Sequence, residues 1–113
     1  MNFGAESTTA MARRLRFHPR VADDISAAID WYEGRSVGLG ERFRSAVDAR
    51  FDDVIASPQR FPRAFDDADY RFARIAKFPY LVLFRVQPNA VDVVGLFHSA
   101  TDPKKWRRRA GEW

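Results

Sequence analysis

The sequence predicts an α+β domain in two layers: a strand, a helical hairpin, a three-stranded antiparallel meander and a short C-terminal helix, in that order. Three observations carry the prediction. Two stretches with apolar residues at helical spacing succeed one another across a short glycine-rich break, "GRSVGLG". Three strand-like runs, "RFARIAKF", "YLVLFRV" and "VDVVGLFH", then follow in the second half. Finally, 113 residues suffice for one hydrophobic core, since two would each bury too little apolar surface to be stable.

Residues 1–13 are expected to form a flexible N-terminal tail and residues 14–113 the single domain. The opening "MNFGAESTTA" is small, polar and aperiodic, while Met11 begins a compact "MARRLRFHP" that reads like a natural start. Arg14 to His18 alternates apolar with basic residues as a half-buried strand does, and Pro19 suits the first turn of a helix, where its missing N–H would be unpaired in any case. Val21, Ile25, Ala28, Ile29 and Tyr32 then recur at helical spacing, with Asp23 and Asp24 at the end that favours acids. Trp31 and Tyr32, near the end of this helix, are read as packing against the sheet.

Beyond the glycines, Leu39, Phe43, Val47, Phe51, Val54 and Ile55 mark a second helix, which stops near Ser57 because the residue before Pro58 is pushed out of helical geometry. So short a break makes the two helices an antiparallel hairpin, with Arg44 and Asp48 four apart on the outer side. Ser57 to Tyr70, with two prolines and no steady period, reads as a loop pinned by Phe61 and Phe65. Of the three strands, the nearly all-apolar middle one is central, and "QPNA" turns the chain into the last. The hairpin covers one sheet face. The other is expected to be wet or occupied, with a partner or substrate on it and the C-terminal tail at its rim.

Composition bounds the function. An apolar fraction of 46%, including ten Phe, with 30% charged residues describes a packed interior under an ordinary soluble surface. The absence of cysteine removes disulfides and cysteine-based zinc sites. Neither end carries an apolar stretch of the length a signal peptide or membrane span needs, so a cytoplasmic protein without a membrane partner is expected. The net charge of +4 favours anionic partners, whether nucleic acid or an acidic protein. His98 and Asp102 stand four apart with only His18 besides, too few ligands for a metal, and no cofactor is expected.

The ordered segments "FHPRVADDISAAIDWY", "RF" at Arg42-Phe43, "FPRAF", "YRFARIAKFPYLVLFRV" and "GLFHSATDPKKWRRR" resemble the RelE/ParE toxin family of bacterial type II toxin–antitoxin modules, of plasmid-stabilisation type, from about Leu15 to Arg109. The resemblance implies a RelE/ParE-like fold and a cytoplasmic toxin neutralised by a cognate antitoxin whose C-terminal segment wraps it. Operator DNA would be reached only through that antitoxin. RelE-like members cleave messenger RNA on the ribosome, and ParE-like members poison DNA gyrase.

Cleavage by a 2′-hydroxyl needs a base, a proton donor and fixed cations for the charge that develops on phosphorus. RelE-like nucleases place basic residues on the strands and an aromatic or histidine near the C-terminus. Arg71 and Arg74 match the region of that basic strand, Arg74 being the better phosphate candidate. Tyr80, however, is followed by Leu81 where an arginine is expected, and Ser99-Ala100-Thr101 replaces a basic segment. Trp106 stands near the place of a catalytic tyrosine, and its indole N–H is a poor acid or base. His98 has two readings: a proton shuttle, or a structural histidine whose ring bonds the backbone or the tail.

Asp102 and Pro103 start a short helix, "KKWRRR", with Trp106 inward and Lys104, Lys105, Arg108 and Arg109 on its outer faces. This helix either caps the fold or grips a partner. Arg85, set in an apolar strand, must place its head at an edge or a partner. The expectation is therefore a toxin closer to ParE than to RelE, a gyrase inhibitor rather than an enzyme. Its partner-binding residues would be Arg71, Arg74, Tyr80, Arg85, Lys104, Lys105, Trp106, Arg108 and Arg109, and Arg74 and His98 the only candidates for catalysis. A ribosome-dependent mRNA endoribonuclease, or an inactive relative that only binds antitoxin, are the alternatives.

Overall fold

A computed structural model describes residues 13–113. The expected tail thus lies outside the described residues except for Arg13, which is tied down: its Nε donates to the Gln87 carbonyl at 2.9 Å. The elements are β1 (Arg14–Phe17), α1 (Val21–Arg35), α2 (Leu39–Ala56), a 3₁₀ turn (Pro58–Arg60), β2 (Tyr70–Arg74), β3 (Tyr80–Val86), β4 (Ala90–His98) and α3 (Pro103–Gly111). They form the expected α+β arrangement: one sheet of order β1-β4-β3-β2, with β2–β3–β4 an antiparallel meander and β1 parallel to β4 at the far edge.

α1 starts two residues later than expected. His18 to Val21 is a turn, closed by the Val21 N–H on the His18 carbonyl at 3.0 Å and by the Arg20 N–H on His18 Nδ1 at 3.0 Å. Pro19 occupies the second position of that turn, where its fixed φ serves as well as it would in a helix. The hairpin break has a specific chemistry. Gly38 takes φ 88°, and the Glu33 carboxylate accepts the N–H groups of Gly38 and Gly40, both at 2.9 Å. Those bonds hold Glu33 below the usual carboxylate range. A Cβ on Gly40 would lie 2.9 Å from the Ile29 carbonyl, so the glycine is what lets the two helices approach.

On α2 the bonded pair is Arg50 with Asp53 at 3.1 Å, not the expected Arg44 with Asp48; Arg50 also donates to the Arg74 carbonyl at 2.7 Å. β2 is shorter than its sequence run. From Ile75 the chain turns, with Lys77 at φ 69° and the Ile75 N–H bonded to the Tyr80 carbonyl, and this turn places Phe78 against Tyr32 and Phe43.

The hairpin face of the sheet is a continuous apolar core of Phe43, Val47, Val54, Val82, Phe84, Val91 and Val93, with Tyr32 stacked on Phe43. Opposite it, the face expected to be wet or occupied is occupied, but by the protein itself, and the tail expected at its rim lies over it. Leu81, Leu83 and Val94 bury Trp106 of α3 there, with Phe65, Tyr70, Phe72 and Phe97 around them, so the protein's own C-terminal helix and the 61–70 loop cover much of this second face. A bulge helps, since Leu83 pairs with Gly95 but Phe84 with Val93, leaving Val94 as an extra residue that joins the second cluster.

Candidate partner-binding surface

α3 begins as the sequence dictates: the Asp102 carboxylate accepts the Lys104 N–H at 3.0 Å and Pro103 opens the first turn. Trp106 is buried, with its indole N–H unpartnered in the second cluster. Arg109 corrects the expectation of an outer-face cation. Three residues on from Trp106, it shares the inner face, and its guanidinium binds Asp24 of α1 through two hydrogen bonds, at 2.8 and 3.1 Å. It also reaches the Val94 carbonyl at 3.3 Å, and only 9% of its side chain is exposed. Gly95 makes this possible, since a Cβ there would lie 2.9 Å from the Arg109 guanidinium and 2.8 Å from the Phe97 ring. Asp24 also accepts the Leu96 N–H at 3.1 Å, at the part of β4 that lies beyond the pairing with β1.

Arg71 is likewise committed internally. It donates to Asp69 at 2.8 Å and to the carbonyls of Gln59 and Phe61 at 2.9 and 2.7 Å, pinning the loop before β2. Both arginines therefore leave the set of free partner-binding residues, because removing a buried guanidinium from its acid strands two charges. Arg74 is exposed, its guanidinium 5.6 Å from the Phe72 ring. Arg85 lies over the Tyr70 ring at 5.4 Å, opposite Asp92 in the register. Lys104, Lys105 and Arg108 are exposed on α3. Arg107, which the sequence pattern did not single out, spans from α3 to Asp67 at 2.9 Å and stacks over Phe65 at 4.1 Å, pulling Asp67 below its ordinary range.

The two candidates for catalysis are not brought together. Arg74 belongs to the second face, beside Phe72. His98 is on the hairpin side at the end of β4, edge-on to Tyr80 at 5.2 Å, where its Nδ1 accepts the Ala100 N–H at 3.0 Å. This is the structural bond to the backbone that one reading of His98 expects. Tyr80 packs against Tyr32 and Phe43, and burial raises its phenol above the ordinary value, so it keeps its proton and is not a phenolate base. His98, Tyr80, Tyr32, Asp24, Ala27 and Trp31 line an open groove of about 550 Å³. Trp31 does not pack on the sheet as expected. It is 54% exposed, with the Arg35 guanidinium 4.2 Å from its ring. Adjacent helical residues point about 100° apart, so only one of Trp31 and Tyr32 can enter the core.

Among known families, residues 15–103 match the model of the ParE toxin of the type II toxin–antitoxin system, parDE. The chain is 30% identical over 94 residues to Toxin ParE2 of Mycobacterium tuberculosis (strain CDC 1551 / Oshkosh), an alignment covering 82% of this chain and 88% of that protein. The same figures hold for Toxin ParE2 of strain ATCC 25618 / H37Rv. Among solved structures, the chromosomal ParDE TA system from P. aeruginosa superposes with a TM-score of 0.66 at 15% identity, over 79% of this chain and 97% of that one. An arginine-substituted mutant of E. coli toxin RelE in the free state gives 0.65 at 16% identity, over 90% of this chain and 97% of that one.

Proposed function

Because this chain belongs to the ParE toxin family of type II toxin–antitoxin systems, we propose that it acts by binding, as an inhibitor of DNA gyrase held inactive by a cognate antitoxin. The observation that carries this reading is the separation of Arg74 and His98 onto opposite faces of the sheet. A general acid or base must lie within hydrogen-bond reach of the atoms it serves, and the phosphate it acts on must be held by cations at the same place. Here one candidate cation is across the sheet from the imidazole, and two others, Arg71 and Arg109, are engaged by Asp69 and Asp24. What remains is a surface: Arg74, Arg85, Lys104, Lys105 and Arg108, suited to an acidic protein segment. The protein acts in the cytoplasm, and no helix among the described residues is long and apolar enough to cross a membrane. Operator DNA is met only through the antitoxin.

The test expresses the chain without antitoxin and follows growth, supercoiling by purified gyrase and the integrity of messages on translating ribosomes. Growth arrest with inhibited supercoiling is expected, and His98→Ala should retain both effects. Reversing charge at three exposed positions of α3, with Lys104→Glu, Lys105→Glu and Arg108→Glu together, should weaken toxicity in a chain that still folds. Deleting the whole helix is a poorer test, since Trp106 and Arg109 hold the fold. Message cleavage abolished by His98→Ala would instead establish a ribosome-dependent endoribonuclease. Normal growth, intact message and unaffected gyrase with the wild type would leave a protein that only binds antitoxin.

A further inference from the structure

We infer that Arg85 is the base of a receptor for a single carboxylate on the second face of the sheet, filled in the complex by an acidic side chain of the antitoxin; the source of the carboxylate rests on the function proposed above. Arg85 projects from β3 between two cavities, of about 230 and 260 Å³, which share Tyr70, Arg85 and Ala110 as walls. The first is completed by Arg16, Gln87, Asp92 and Trp113, the second by Phe65, Asp67 and Arg107.

Every carboxylate around Arg85 already has a cation of its own. Asp92 is held by Arg16 through two hydrogen bonds of 2.7 and 2.9 Å, and by the Gln87 amide at 3.3 Å. Asp67 is held by Arg107, and Asp69 by Arg71. Among the described residues Arg85 makes no hydrogen bond from its guanidinium and no ion pair; its contact is the face of Tyr70. Asp92, held low chiefly by its bond to Arg16, also feels Arg85 across the register through space, but its hydrogen bonds go to Arg16 and Gln87, so the Arg85 fork is left without a bonded acceptor among the described residues. A half-buried guanidinium lacking an anion presents a planar fork of donors, and a carboxylate fits that fork through two parallel bonds.

The wall also bears on the choice of ligand: Asp92 repels a phosphate dianion more strongly than a singly charged carboxylate. A nucleic-acid strand presents phosphates in series and needs free cations in series, but Arg16 and Arg107, the cations that share the two cavities with Arg85, are each paired. The chain's net charge of +4 favours an acidic peptide as the carrier of that carboxylate.

The test titrates sodium acetate into the full-length, ¹⁵N-labelled chain at constant ionic strength and follows the arginine Nε–H signals. A saturable shift of the Arg85 signal is expected. Arg85→Gln should weaken acetate binding, read at the Tyr70 amide, by about tenfold. Arg85→Lys, which keeps the charge and loses the fork, should fall between the two, and Arg44→Gln, exposed on the helical hairpin, should change nothing. Inorganic phosphate in its dianionic form should bind more weakly than acetate, and the antitoxin complex should no longer respond to acetate at Arg85. A linear, unsaturated shift, or binding that survives Arg85→Gln in a chain with a native-like spectrum, overturns the site. Preference for the phosphate dianion overturns the carboxylate assignment, and an Arg85 that still takes acetate in the complex overturns the antitoxin as its source. Failure to form any antitoxin complex would refute the proposed function, a result the acetate titration reads independently.

Discussion

The two faces of the sheet are closed by different means. Under the helical hairpin, Phe43, Val47, Val54, Val82, Phe84 and Val93 meet carbon to carbon, with the rings of Tyr32 and Tyr80 packed among them. On the opposite face, Trp106 packs with Leu81, Leu83 and Val94, and ion pairs stitch the cover down: Arg109 with Asp24, Arg107 with Asp67 and Arg16 with Asp92. Apolar packing leaves surface charges free for other uses, whereas closure by ion pairs consumes them. A count of basic residues in the second half of the chain therefore overstates what a partner can touch. The cations available to it are those whose neighbourhood holds no acid, and on the second face that reduces a basic stretch to a few positions.

The contrast can be broken from either side. The largest effect is expected from Phe43→Ala, which opens a cavity in the hairpin core at a fully buried aromatic ring. Unfolding in urea should show a loss of about 4 kcal/mol. On the stitched face, Arg109→Ala should cost about 3 kcal/mol, because it leaves Asp24 largely buried with no cation. Replacing the pair together, with Asp24→Leu and Arg109→Met, should recover a good part of that loss, although the Leu96 N–H then lacks an acceptor. No such rescue exists at Phe43, where the deficit is volume and not charge.

A smaller effect sharpens the comparison through pH. His18 is 5% exposed beneath the end of α3, edge-on to Trp113, with Nε2 unpartnered. Burial chiefly, then Arg109, lowers its pKa; Arg20 acts in the same direction, and Glu112 and Asp24 oppose it. The unfolded chain therefore takes up a proton near the ordinary imidazole value of about 6.5, where the folded chain does not. Stability from this group is complete above that value and is lost as pH falls toward the lowered folded pKa. Urea midpoints measured from pH 7 down to pH 5 should decline in the wild type and stay flatter in His18→Asn, whose side chain can still accept the Arg20 N–H.

The parts of the fold legible in the sequence are those set by neighbours along the chain. The spacing of Val21, Ala28 and Tyr32, and of Phe43, Val47 and Val54, is sufficient for the hairpin, and the meander follows from three apolar runs and their turns. Asp102 and Pro103 announce α3 in the same way. What could not be read is which distant group answers each charge. Arg109 is matched by an acid 85 positions away, and nothing local distinguishes Asp24 from Asp23 for that role. Some of the site was readable and went unread. Arg71 and Arg74 are three apart on one strand, so strand alternation forbids both from facing the same surface. Trp106 and Arg109, three apart on a helix, must by contrast share one.

The clasp of Asp24 and Arg109, with the pairing of β1 to β4, also orders events in time. The hairpin and the meander assemble from residues close in sequence, but Arg16 meets Asp92 across 76 positions and Asp24 meets Arg109 across 85. Closing such long loops is entropically costly until the meander exists to receive them, so the two ends of the domain join late. On the ribosome, β1 and α1 wait without their partners until β4 and α3 have been made. A seam that joins late should partition its energy mainly into unfolding, so Arg109→Ala is expected to speed unfolding in urea more than it slows refolding, as stopped-flow rates would show.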